Sequence, residues 1–193
     1  MRENFTVTDK DTGKVYWISR AHAVVGLIMW KPSKNGQWHF LLEKRGPGCP
    51  DHIGKWCICC GYLNWGETRK EAIAREAYEE TGFKVTNLDN IIELETIDDP
   101  NRDARENLST RYAIVTTFTE IFDKLYNGTI NADTVSRGGE SDEVSELKVF
   151  SLDKIKEMDP SEFAFNHKDV IFEMIDKLER HNLSAVPAYA DTI

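Results

Sequence analysis

Glu67, Arg75, Glu76, Glu79 and Glu80, all between Gly61 and Phe83, are the residues of this chain whose types and spacing suit chemistry. On a helix, at about 100° per residue, Glu76 and Glu80 fall one turn apart and Glu79 sits beside both. Like-charged helical neighbours repel by roughly 0.2–0.5 kcal/mol per pair. A hard cation would reverse that sign. Mg2+ takes oxygen ligands, keeps several waters, and is held by a few carboxylates together with substrate phosphate oxygens. Arg75 directly precedes the cluster and can orient one carboxylate through a bidentate pair. Glu67 lies upstream and can return to Arg75. The plain alternative is a solvated helix face, which is what most runs of Glu are.

A helix must carry these side chains, and its ends are marked. Thr68 followed by Glu71 reads as a capping box, so the helix starts near Thr68. Gly82 follows Thr81, where a left-handed C-terminal cap is wanted. The Arg, Lys, Glu and Ala residues between suit a helix, and no Pro or Gly interrupts them. Ile73, Ala74, Ala77, Tyr78 and Thr81 share the apolar face.

The spacing argues beyond a solvated face. Gly61, Glu67, Arg75-Glu76, Glu79-Glu80 and Gly82 fit the pattern G-x5-E-x7-R-E-U-x-E-E-x-G-U, with Ala77 and Phe83 at the apolar positions U. This is the Nudix box, and the chain resembles the Nudix (MutT-like) hydrolases, sharply over the box and more weakly over about residues 20–180. The resemblance implies an α+β fold of the Nudix type: an α/β/α sandwich with a mixed central sheet. It implies that Glu76, Glu79 and Glu80, with the Cys60 backbone carbonyl and Glu143, hold Mg2+ or Mn2+. Such an ion bridges phosphate oxygens and lowers the pKa of a water, and a carboxylate takes that water's proton. Glu79 and Glu143 are the candidates for that step, with Glu140 beside them. Arg75 would orient the carboxylates, while Glu67 braces Arg75 or joins the metal shell. The expected reaction is attack of water at phosphorus, splitting a diphosphate linkage in a nucleoside diphosphate derivative. ADP-ribose or a nucleotide sugar is slightly favoured.

The chain departs from the family in places. Cys59-Cys60-Gly61 stands where relatives have Pro-Gly-Gly; a carbonyl donor survives that change, whereas a Gly-like turn is harder for Cys. Residues 98–105 resemble the P-x-R-D-P-R segment of relatives near the ADP-ribose hydrolases, with Ala104 in place of Pro. Arg102 or Arg105 would then hold a substrate phosphate, and Arg45, in the Gly- and Pro-rich loop 44–55, could do the same. Each also reads as a solvated loop charge. Glu143 stands six residues before Val149, where the family commonly has a strand Trp. Two other readings stay open. An isoprenoid diphosphate isomerase would use a cysteine such as those after Trp56, but departs from the complete box. A non-catalytic, nucleotide-sensing Nudix regulator usually has damaged box carboxylates, and these are intact.

Composition bounds the rest. The chain has 193 residues, 40% hydrophobic and 30% charged, which suits one soluble domain with a real core. The whole chain, 1–193, is read as that domain, with 1–20 as an N-terminal extension and 182–193 as a frayed tail. Its apolar runs are too short to span a bilayer, and no secretory leader is evident. A cytoplasmic location follows, with Cys49, Cys57, Cys59 and Cys60 reduced. Cys49, His52, Cys57 and Cys60 have a zinc-like look, but the short spacer favours buried thiols. A net charge of −9 argues against non-specific nucleic-acid binding. The expected partner is a small nucleoside diphosphate-linked molecule. A homodimer built through the N-terminal strand is implied by the resemblance.

Strands are expected at 15–18, 22–30, 38–43, 56–60, 90–96, 111–122 and 144–152. A last helix is expected to open at Asp159-Pro160-Ser161, with Phe163, Val170, Ile171, Met174, Ile175 and Leu178 as its buried stripe. His167 near its start is read as structural. The stretch 123–141, with its Gly pairs, is read as mostly loop.

Overall fold

The order of strands follows from one splayed hairpin. In the computed structural model, which describes residues 5–18, 21–31, 36–102, 107–116 and 142–180, strands β1 (Phe5–Thr8) and β2 (Val15–Ile18) form a separate antiparallel pair. The main sheet begins with β3 (Ala23–Trp30) and β4 (His39–Arg45), which pair only at Ile28–Trp30 and His39–Leu41. Beyond that point they part. The segment β5 (Trp56–Cys57) and β6 (Cys59–Tyr62) fills the gap, β5 pairing with β4 and β6 with β3. The chain thus reaches Gly61 inside a forked sheet, directly ahead of helix α1 (Arg69–Thr81).

Strand β7 (Ile91–Asp98) pairs antiparallel with β8 (Leu108–Thr116), which lies parallel to β3 along its whole length. Strand β9 (Val144–Ser151) covers the other edge of β4. The sheet is therefore mixed, in the order β5-β4-β3-β8-β7 with β6 and β9 added on β3 and β4. Helices α2 (Leu152–Glu157) and α3 (His167–Arg180) complete the described elements.

Alternation along the strands sends side chains to two cores. Val24, Ile28, Leu41 and Cys59 pack with Ala72, Ile73 and Ala77 of α1. Val25, Leu27, Phe40 and Ile58 pack with Val170, Ile171, Met174 and Leu178 of α3. Helices on both faces of a mixed sheet make the expected α/β/α sandwich. Among the described residues no helix is long and apolar enough to cross a membrane.

Several boundaries differ from expectation. Strand β1 was hidden in a polar stretch, and its pairing with β2 across an Asp9 turn is what makes it a strand. Strand β8 starts earlier than residue 111, because Ser109 and Thr110 enter the ladder opposite Ala23 and Val24 and are buried. Its expected end, 117–122, lies outside the described residues, as does the loop 123–141. Leu152 belongs to α2, not β9, since the Ser151 side chain caps that helix. The Asp159–Glu162 capping box closes only one 3-10 turn. Phe165 and Asn166 then take left-handed backbone (φ 52° and 59°), so the last helix starts at His167. Phe163 leaves the helix stripe and bridges to Trp56. The remaining stripe residues are buried as expected. On α1, Tyr78 is exposed, because the sheet covers only the Ala72–Ile73–Ala77–Thr81 face.

Candidate active site

Helix α1 is built as its sequence dictates. The Thr68 side chain accepts from the Glu71 N–H, the Glu71 carboxylate answers the Thr68 N–H at 2.7 Å, and Gly82 closes the helix at φ 71°. This fixes the direction in which Arg75 leaves the helix. Its Nε and one terminal nitrogen make a bidentate pair with Glu67, at 3.0 and 2.8 Å. The same nitrogen donates to the Tyr62 carbonyl at 3.0 Å, tying α1 to β6. The other terminal nitrogen lies 2.8 Å from both Glu76 and Glu79. Glu67 is also held by the Asn64 N–H at 2.6 Å, and the Arg75 hydrogen bond keeps its carboxyl below the usual range. Arg75 is thus the hub of three carboxylates.

Glu76 lies over Gly61 so closely that a Cβ there would come 2.1 Å from its carboxylate oxygen and push that side chain aside. Burial raises the Glu76 carboxyl, with Arg75 opposing. Glu80 points inward, where its carboxylate accepts the Cys60 N–H at 3.0 Å. Across from it stands a residue that the sequence reading passed over. Glu43, on β4, is 2% exposed; its Oε1 accepts the Cys57 thiol at 3.2 Å, and its Oε2 has no hydrogen-bond partner. Burial lifts the Glu43 carboxyl to about 7, and burial with Glu43 as neighbour raises Glu80 well above the carboxylate range.

These groups border a cavity of about 250 Å³, with Glu43, Glu80, Cys60, Gly61 and Glu143 in its wall. Glu143 is brought there by main-chain contacts: its carbonyl accepts the Gly46 N–H at 2.6 Å and the Cys49 thiol at 3.1 Å. A Cβ on Gly46 would come within 2.3 Å of the Asp142 carbonyl, so the approach of the two loops needs glycine. Arg45 reaches the cavity too, held by the Asp51 carbonyl and carboxylate at 3.0 and 3.2 Å and stacked on Phe165 at 4.8 Å. His167 closes the floor. Its Nδ1 accepts the Ile58 N–H, and burial pushes the ring down to about 3, so it is neutral.

The structure brings together Glu80, Cys60, Glu143 and Arg45 at the cavity, and Glu67, Arg75, Glu76 and Glu79 beside it. Arg102 lies in the turn after β7, at the end of the sheet where Ser109 pairs with Ala23, and is not in the cavity wall. Arg105 and Glu140 lie outside the described residues. Among the described residues no three His, Cys, Asp or Glu side chains converge as metal ligands. Arg75 pairs with Glu67, Glu76 and Glu79, while Glu80 turns to the Cys60 N–H. Of the thiols, Cys57 turns to Glu43 and Cys49 to the Glu143 carbonyl.

Glu43, Phe165 and His167 are among the wall residues that sequence reasoning did not claim for the site. Glu43 left one signal: it follows His39 and Leu41 on the face of β4 turned to α1, a place for an apolar side chain. Phe165 left none, because its place depends on the break before α3.

The donor set suits a hard divalent cation. Its side-chain donors are carboxylates, and the unpartnered Glu43 oxygen is a buried acceptor in want of a partner.

No curated protein matches the chain. Among solved structures, it is similar to the NUDIX domain of Shewanella oneidensis NrtR complexed with ADP ribose, with a TM-score of 0.60 and 18% identity over 83% of this chain and 90% of that one. It is similar to a MutT/nudix family protein from Enterococcus faecalis, with a TM-score of 0.63 and 18% identity over 89% of this chain and 69% of that one. A third likeness is a bifunctional NMN adenylyltransferase/ADP ribose pyrophosphatase from Francisella tularensis complexed with AMP and Mn ion. There the TM-score is 0.58 and identity 19%, over 82% of this chain and 42% of that one. At such identities the likeness is one of fold. The sequence model of the NUDIX domain matches residues 20–174, through both halves of the forked sheet and the helix of Arg75, and the chain belongs to the NUDIX domain family.

Proposed function

We propose that the chain is a divalent-metal-dependent hydrolase that splits a diphosphate linkage in a nucleoside diphosphate derivative. The observation that carries this reading is the placement of Glu80 and Glu143 on one cavity wall, beside carboxylates held by Arg75. Glu76, Glu79, Glu80, the Cys60 carbonyl and Glu143 would hold Mg2+, with Mn2+ as the alternative. When bound, the ion neutralises phosphate charge and acidifies water. Arg75 positions Glu76 and Glu79, and Glu67 braces Arg75 from behind. Glu79 or Glu143 accepts a proton from water as its oxygen attacks phosphorus; the P–O–P bond breaks and the leaving phosphate departs with the bond's electrons. Arg45, already on the wall, is placed to meet a substrate phosphate, and Arg102 and Arg105 would do so from the 98–105 loop.

ADP-ribose or a nucleotide sugar is the favoured substrate, supported by the fold shared with proteins described with ADP ribose or as ADP ribose pyrophosphatase. The test is phosphate-product release over ADP-ribose, nucleotide sugars, dinucleoside polyphosphates and nucleoside triphosphates, with Mg2+, Mn2+ or chelator. Metal-dependent release from one class supports the reading. Silence with thermal stabilisation by one ligand favours a sensor. Glu80→Gln should lower kcat by at least about 10-fold, since losing even a group that only supports a metal ligand costs roughly 10–100-fold; unchanged turnover would sink the assignment. The reading includes a homodimer, since Val7, Val15 and Tyr16 of the β1–β2 pair are exposed apolar residues. Sedimentation equilibrium should give twice the chain mass; a monomer at micromolar concentration rejects the dimer.

A further inference from the structure

We propose that Glu43 is a metal ligand supplied by the sheet, so that the cation site spans β4 as well as α1. The inference rests on the reading of this site as a divalent cation site and extends it to a residue outside the Nudix box. Glu43 is 2% exposed, and β4 places it on the face turned to α1. Leu41, two residues earlier on that face, packs in the apolar cluster with Ala72 and Ile73. An apolar side chain at position 43 would continue that packing at no desolvation cost, whereas a carboxyl without full partners is costly there.

The carboxyl is only half satisfied. The Cys57 thiol holds Oε1 at 3.2 Å, and Oε2 meets no donor. Glu43 forms part of the same cavity wall as Glu80, Cys60 and Glu143. A buried, unpartnered carboxylate oxygen facing other oxygen donors across a cavity is what a hard cation would complete. The ligand chemistry is that of a small divalent ion, Mg2+ or Mn2+, because a carboxylate donor favours hard cations. Cys57 is then a positioning residue. Its thiol, buried in the sheet, fixes one carboxyl oxygen and leaves the other for the ion.

The alternative is that Glu43 is a purely structural carboxyl that shares a proton with the neighbouring Glu80 carboxyl. The two differ in Mn2+ binding. Isothermal titration of wild-type protein with Mn2+, in the absence of substrate, is compared with Glu43→Gln, and circular dichroism checks the fold of each. Binding at least tenfold weaker in Glu43→Gln, with an unchanged fold, supports the ligand role. Affinity within twofold of wild type overturns it and leaves the metal-dependent hydrolase standing. Absence of Mn2+ binding in wild type overturns both. Should Glu43→Gln fail to fold, anomalous diffraction from wild-type crystals soaked in Mn2+ decides. A peak about 2.1 Å from a Glu43 oxygen, the span of a small divalent ion to oxygen, supports the proposal. A peak bonded only to α1 carboxylates overturns it.

Discussion

His167 keeps its Nδ1 on the Ile58 N–H and is 3% exposed, so the ring must remain neutral. Burial depresses its pKa to about 3. The unfolded chain takes up a proton near pH 6.5, which the folded chain refuses until about pH 3. Its contribution to stability is therefore full above the unfolded value and is lost as pH falls through that window. Against a His167→Gln variant, wild type should lose on the order of 4 kcal/mol of relative stability between pH 7 and pH 3. Urea unfolding at a series of pH values reads this directly, and parallel profiles for the two proteins would refute it. At this scale Arg75, Glu76, Glu79 and Glu80 were legible in the sequence, because their spacing alone puts them on one helix. Glu43 was not: a single carboxylate at the end of a strand reads as an exposed edge until β5, β6 and α1 close over it.

Helix α1 shows how much an element's ends can be read locally. Its capping box and left-handed Gly82 were both legible, since each depends on neighbours within four residues. Thr68→Ala removes the side-chain acceptor of the Glu71 N–H and should cost about 1 kcal/mol. In a chain of this size that lowers Tm by roughly 2–4 °C. Differential scanning calorimetry measures it, and an unshifted transition would mean that packing, not the cap, holds the helix start. The opening of the last helix was misjudged by the same local logic. Asp159 and Glu162 form a genuine capping box, yet the chain follows with a 3-10 turn and two left-handed residues. Ala164 is held there by the Trp56 carbonyl, and Phe163 bridges to Trp56. A contact more than one hundred residues away in sequence thus decides where the helix begins.

Across the whole molecule, Arg111 joins the sheet to α3. It is 3% exposed and reaches Glu95 at 2.9 Å and Glu173 at 2.6 Å, while Lys177 meets the same Glu95. Removing one partner of a buried pair strands the rest. Arg111→Ala should destabilise by roughly 3 kcal/mol, the lower end of the range for such pairs, because Glu173 is half exposed. Guanidinium unfolding checks it; a change under about 1 kcal/mol would place this network among weak surface pairs. By itself the sequence determined the Nudix box, the helix that carries it and the alternation of apolar strands, because these arise from periods and caps acting over a few residues. Only the tertiary structure decided how the fork between β3 and β4 is filled, that Glu43 faces Glu80, and that the 46–48 and 142–143 loops meet to bring Glu143 to the cavity. Those contacts join segments far apart in the chain. Their cost in desolvation and loop closure is met only when the two cores pack together.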